Sequence, residues 1–353
     1  MAELKEVFEM VTKQTEPDQD SWKQQEQRQR RTTRNRRVGA IVLVAAMIAT
    51  IVLVVVISRP KQENGVAGHP SASPFATTPP IGAEIIGLDG TPIQQVGGFF
   101  GDSSVTLSPD GTTIAYVTPT GQVRVAGVDG NNEKALTGTG NVNLGDAMNH
   151  VSWSPDGSQL AYAWDGEIYL MNADGSNKQR LTHTAAGNGS YYPVFSPDGS
   201  TIAYWSGAST GEDGGPPNAE IYTIPVTGGA PTRLTHDRSR NIEPGWSPDG
   251  SQIAFKHGER LGVIRADGSG QHDVAAGAVN HGPWAPAWSP DGSMIAFLVY
   301  DGSERAGDGG PLMQVRVLTL ATGKLTRLHV RVETDWNGPQ WTTDTTLLVN
   351  RYD

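Results

Sequence analysis

The tetrapeptide Ser-Pro-Asp-Gly occurs five times, at 108–111, 154–157, 196–199, 247–250 and 289–292, with start-to-start spacings of 46, 42, 51 and 42 residues. Recurrence at that period identifies a repeat architecture. A large apolar residue precedes each copy (Leu107, Trp153, Phe195, Trp246, Trp288), and a short apolar segment follows it: TIAYV, QLAYAW, TIAYW, QIAFK and MIAFLV. A sixth, degenerate copy at 341–344 keeps the tryptophan and the segment TLLVN but has lost Pro and Gly.

The turn chemistry explains the motif. Ser accepts a local backbone hydrogen bond, Pro presets φ near −65°, and Gly supplies the positive φ that closes a hairpin. Two further strands follow in each unit, as in 167–182 and 220–235, where a polar glycine-containing turn separates alternating apolar residues. Four strands per repeat make one propeller blade. The last unit has only two strands, and 83–96 (AEIIGLDGTPIQQV) supplies the two it lacks, so the expected fold is an all-β, six-bladed propeller of four-stranded blades whose ring is closed by both ends of the repeat region. Gly and Pro together number 66 of 353 residues, against an average near roughly 12 %, which agrees with a turn-rich β protein.

In order, the apolar residue, Ser-Pro-Asp-Gly, Ile-Ala-Tyr/Phe and Arg-Leu-Thr make residues 81–353 resemble the TolB-type, WD-repeat-like β-propeller units of bacteria. The resemblance implies a propeller outside the cytoplasmic membrane that serves as a binding module. The namesake of that family resembles a cleaved, soluble periplasmic protein with a further domain before the propeller. This chain shows no such domain, so its translocation role is not carried over.

The region before the repeats points to a membrane. Residues 38–58 are 21 residues without a charge, long enough as a helix, at about 31 Å, to cross the hydrocarbon core. A buried core helix would not need so uniform an apolar surface, and a cleaved signal peptide has a shorter apolar region and a small-residue cleavage site. Six arginines at 28–37 precede the run, so the positive-inside rule places residues 1–37 in the cytoplasm and the remainder outside. Residues 59–80, rich in Pro, Ser, Ala, Gly and Thr, read as a tether. The expected location is therefore a bacterial plasma membrane, single-pass, with its lipid as one partner. In the tail, Leu4, Val7, Phe8 and Val11 share a helical face; the tail either sets topology and contacts anionic lipid or captures a cytoplasmic regulator, a layout that resembles membrane-bound anti-sigma factors.

Residues 1–37 carry net +2, so the rest carries −12 of the total −10; an acidic body argues against nucleic acid as a partner. The absence of cysteine removes disulfides, thiolate chemistry and zinc–sulfur sites. His183 and His236 follow Arg-Leu-Thr at equivalent places in their repeats and are not a metal pair; the Asp-Gly pairs lack EF-hand spacing, and no cofactor is expected. Ser, His and Asp occur in no order that reads as a catalytic constellation. The chain also ends with the ring, whereas prolyl oligopeptidase-type enzymes add a hydrolase domain, so a non-enzyme is expected.

Turns between first and second strands share one face of the ring, and the long second-to-third loops, 206–218 and 301–312, fall on the other. On that variable face, counting four or five residues back from each turn reaches His150, Tyr192, Glu243, Trp284 and Asn337 at the mouth of the axial channel. These five are the candidate contacts for an envelope protein, a peptide or a small polar ligand. The competing reading is that they fill the channel and bond neighbouring blades.

Overall fold

In a computed structural model of the chain, the described residues are 82–98, 104–118, 120–139, 150–208, 218–274, 283–305, 311–332 and 338–351. They belong to one compact unit, Ala76–Asp353. The expected tail, membrane span and tether all lie outside the described residues, among which no helix is long and apolar enough to cross a membrane.

The chain enters on β1 (Gly82–Gly87) and β2 (Pro92–Gly98), which form a hairpin. Five blades follow. The first comprises β3 (Ser104–Leu107), β4 (Thr113–Val117), β5 (Val123–Gly127) and β6 (Lys134–Ala135). The second runs from β7 (Val151–Trp153) through β8 (Gln159–Trp164) and β9 (Glu167–Asn172) to β10 (Gln179–Arg180). The third is β11 (Asn188–Phe195), β12 (Thr201–Ala208), β13 (Glu220–Pro225) and β14 (Thr232–Arg233), and the fourth β15 (Asn241–Trp246), β16 (Gln252–His257), β17 (Arg260–Arg265) and β18 (His272–Val274). The fifth contains β19 (Trp284–Trp288), β20 (Met294–Arg305), β21 (Pro311–Thr319) and β22 (Lys324–Val332), and the chain closes with β23 (Gln340–Thr343) and β24 (Thr346–Arg351). Every pairing within a blade is antiparallel.

The sixth blade is assembled from both ends of the repeat region. β24 pairs with β23 on one side and with β1 on the other, in a register running from Gly82 opposite Arg351 to Gly87 opposite Thr346. Closure of this kind pairs strands that would otherwise be free edges. A single bridge, Val332 to Arg351, joins the fifth and sixth blades into one eight-stranded sheet.

The Ser-Pro-Asp-Gly turns are built alike in five blades. In the fourth, the Ser247 hydroxyl donates to Asp249 at 2.6 Å and accepts from the Gln252 N–H at 2.9 Å, while Asp249 also accepts from the N–H of Ser251 at 3.0 Å. Asp is therefore as much a part of the turn as Ser: burial is slight, and these bonds hold its carboxyl below the usual range. Gly at the fourth position adopts φ of 71–73° in all five, a conformation that a Cβ disfavours. A Cβ on Gly157, Gly199, Gly250 or Gly292 would stand 3.4–3.7 Å from the proline ring of the preceding turn, so the turns also touch from blade to blade.

The tryptophans before the turns have a second function besides packing. Trp153, Trp246, Trp288 and Trp341 each donate their indole N–H to a backbone carbonyl of the preceding blade's innermost strand: Thr106, Val194, Gly245 and Ala287, at 2.9–3.3 Å. The Gln340 side chain makes the sixth-to-first link, accepting from Leu107 N–H at 2.9 Å and donating to its carbonyl. The Arg-Leu-Thr segments also acquire a reason: Arg180 and Thr182 bond the buried Glu167, and Arg233 and Thr235 bond the buried Glu220.

One expected loop is largely strand. Of 301–312, β20 continues to Arg305 and β21 begins at Pro311, so the hairpin is extended across a register shift after Tyr300. That irregularity breaks the alternation that would reveal a strand in the sequence.

Candidate functional site

The axial end of each inner strand is shaped by a bulge. Tyr191 pairs with Trp205 and Val194 with Ala203, which leaves Tyr192 and Pro193 opposite one residue of β12. Glu243-Pro244 in β15 and Ala285-Pro286 in β19 repeat the irregularity. In all three the residue before proline has a left-handed backbone, with φ of 56° at Tyr192, 57° at Glu243 and 48° at Ala285. Proline disfavours the right-handed helical region for its predecessor, and a non-glycine residue at positive φ costs about 1–3 kcal/mol. The signal was in the sequence: Pro193, Pro244, Pro286 and Pro339 all stand three residues before the first residue of their turn.

The bulge settles which candidates are equivalent. His150, Tyr192 and Glu243 occupy the same position of their blades, and that position is filled by Ala285 and Gly338 in the fifth and sixth. Trp284 is one residue earlier, where it pairs with Leu298 and takes up a different environment. Asn337 lies outside the described residues.

His150 stacks on Tyr192 with ring centroids 3.9 Å apart and planes 19° from parallel, and its Nδ1 donates to the Pro193 carbonyl at 3.2 Å. Burial pushes the His150 imidazole down to about 4, so it is neutral at physiological pH. Tyr192 reaches across the ring, where its hydroxyl accepts the N–H of Gly338 in the opposite blade; burial, then the nearby Glu243, raise its ionisation well above the usual value. Glu243 is 3 % exposed and accepts the Ala285 N–H at 2.5 Å through Oε2. Burial raises its carboxyl to about 7, against the opposing effects of that bond, Lys256 and Arg240. The channel is tight here: a Cβ on Gly338 would sit 2.1 Å from the Ala285 carbonyl oxygen, and one on Gly245 2.2 Å from that of Pro286. Tyr192 thus bonds to the opposite blade, while His150 and Glu243 each bond to the next blade along the ring.

Trp284 belongs to a cationic cluster beside them. The Lys256 ammonium is 4.3 Å and the Arg240 guanidinium carbon 5.1 Å from the Trp284 ring centroid. Lys256 was not among the expected site residues, yet the strands after the turns single it out. The residue following Ile-Ala-Tyr/Phe or its equivalent is Val117, Ala163, Trp205, Lys256 and Leu298, all buried, so one blade carries a charge where four carry an apolar side chain.

On the turn-bearing face, a depression of about 550 Å³ between the third and fourth blades is lined by Asp198, Asp249 and Trp246 among others. Both carboxylates are held low by the Ser196 and Ser247 hydroxyls. Among the described residues no group of three or more His, Asp or Glu could hold a metal ion. The string GASTG at 207–211 has the spacing of a hydrolase nucleophile elbow. Its first two residues, Gly207 and Ala208, end β12, the next described strand is the antiparallel β13, and Ser209 to Gly211 lie outside the described residues.

An uncharacterized protein of Agrobacterium fabrum is 29 % identical over 157 residues, covering 42 % of this chain and 50 % of that one. Dipeptidyl-peptidase 5 of Porphyromonas gingivalis is 28 % identical over 148 residues, 35 % of this chain and 21 % of its own. The chain thus spans half or less of the length of these relatives. A TolB-type structure from Agrobacterium tumefaciens superposes with a TM-score of 0.60 at 23 % identity, over 77 % of this chain and 98 % of that one, which is a likeness of fold. The model of the TolB beta propeller domain matches residues 103–341, and with six four-stranded blades closed by β1 and β24 the chain belongs to that family.

Proposed function

We propose that the protein is a single-pass membrane protein of a bacterium that presents its propeller outside the cell as a platform for an envelope protein, a peptide or a small ligand. The observation that carries the reading is the joining of a 21-residue uncharged run, preceded by six arginines, to a TolB-type propeller. The binding site we assign to the axial mouth, at Tyr192, Glu243 and Trp284 with His150 and Asn337. Three bulged residues there hold costly backbone conformations at equivalent places, and strain of this kind concentrates at functional sites. No catalytic role is proposed: the peptidase relative shares only about a fifth of its length with this chain, and its activity is not transferred.

A second reading, a sensor whose tail 1–37 binds a cytoplasmic regulator, is favoured by the apolar stripe Leu4, Val7, Phe8 and Val11. Crosslinking the full chain in its own membrane, followed by identification of what attaches to each side, separates the two. Partners on the propeller that are lost when Tyr192, Glu243 and Trp284 are replaced by alanine support the platform. Partners that bind the alanine variant unchanged defeat the site, and a specific protein on residues 1–37 supports the sensor.

A further inference from the structure

We propose that Lys256, with Arg240 and the Trp284 ring, is a recognition site for a carboxylate at the axial mouth between the fourth and fifth blades. The inference rests on the axial-mouth reading above and names the ligand chemistry. The Lys256 side chain is completely buried, and its Nζ has no hydrogen-bond partner. The nearest carboxylate, Glu259, is 3.8 Å away and itself 65 % exposed, beyond hydrogen-bond reach. A buried ammonium with three unspent donors is costly unless an anion or strong acceptor meets it.

Packing does not demand a lysine here. Ile242 pairs with Lys256 in the sheet, and the equivalent positions in other blades are filled by Val117, Ala163, Trp205 and Leu298. An apolar residue would satisfy the core, so the charge is retained against its cost. Glu243 is not its acceptor: it lies close enough for its charge to act on Lys256, but its Oε2 is committed to the Ala285 N–H, and no ion pair joins the two. Arg240 brings a second positive charge to the same ring. A carboxylate oxygen takes the ammonium hydrogen bonds, the guanidinium adds attraction, and Trp284 offers a flat apolar wall to the rest of the ligand.

The test titrates the full-length protein with acetate, propionate, inorganic phosphate, and trialanine as the free acid and as its C-terminal amide. It follows heat release and the Lys256 13Cε resonance. Saturable binding of the free acids, with the amide at least about tenfold weaker and Lys256→Met at least about tenfold weaker in turn, is the expected result. Tight acetate binding points to a free small acid, and trialanine binding well above acetate to a peptide C-terminus. The Met variant should fold, because four blades hold apolar residues at this position, and circular dichroism checks it. Arg240→Gln provides an independent arm, with an expected loss of a few fold. Equal binding of acid and amide, preference for phosphate, an unaltered affinity in folded Lys256→Met, or no movement of the Lys256 resonance at saturating acid overturns the inference. If crosslinked partners nevertheless persist on the propeller and are lost in the alanine variant above, the platform stands and only the carboxylate assignment falls.

Discussion

Replacing Glu243 with glutamine should make the protein more stable at neutral and alkaline pH. The carboxyl is buried, and its folded-state value is raised from 4.5 to about 7. A raised acid binds its proton more tightly in the folded than in the unfolded chain. Its contribution to stability is therefore fully present below about pH 4.5 and lost as pH rises through 7. At about 1.4 kcal/mol per pH unit, the ionised form costs the folded state about 3 kcal/mol by pH 8. Glutamine keeps an oxygen that accepts the Ala285 N–H and has no charge to bury, at the expense of about 1 kcal/mol for a neutral rather than charge-assisted bond. The stability difference between variant and wild type should thus shift by about 3 kcal/mol toward the variant between pH 4.5 and 8, read as urea midpoints by tryptophan fluorescence. A 13C titration of the Glu243 carboxyl gives the same quantity directly. A difference that stays flat with pH, or a carboxyl that titrates near 4.5, would refute the reasoning.

Three further outcomes follow from the same axis. His150→Phe keeps a ring on Tyr192 but removes a base pushed down to about 4, so the wild type should lose stability as pH falls from 6.5 toward 4 while the variant does not; urea midpoints across that range show it. Trp246→Phe removes the indole bond to Val194 and leaves that carbonyl short of a partner, for an expected loss of about 1–2 kcal/mol in the same assay, whereas the third blade already carries Phe195 at this place. Gly338→Ala puts a methyl group 2.1 Å from the Ala285 oxygen, and a thermal scan should show a larger loss than Trp246→Phe, because inner strands on both sides must move.

The blade count and the closing partner of β24 were legible because they rest on local signals: Pro and Gly at fixed offsets, and an orphan pair of strands at 83–96 matching the pair missing at the end. The position of Trp284 was not. Trp284 stands five residues before its turn, whereas His150, Tyr192 and Glu243 stand four before theirs, and because the same bulge recurs in β11, β15 and β19 it is Ala285 that matches Tyr192 and Glu243. Lys256 was visible as an odd residue in an aligned core position, but its meaning depends on burial and on contacts to Trp284 and Arg240, which come from separate strands and a linker. The indole bonds of the tryptophan motif are not legible in the sequence, because an indole N–H shows its use only when the neighbouring blade's carbonyl is in place. The extended hairpin across 301–312 was hidden by glycines and acidic residues that resemble a loop.

Protease added to intact spheroplasts addresses the central claim most directly, with antibodies against residues 1–37 and against the propeller. The account predicts that the propeller is removed while a short membrane-embedded fragment carrying the tail survives. A propeller left untouched in sealed spheroplasts, or a mature chain recovered free of its first sixty or so residues, would contradict it.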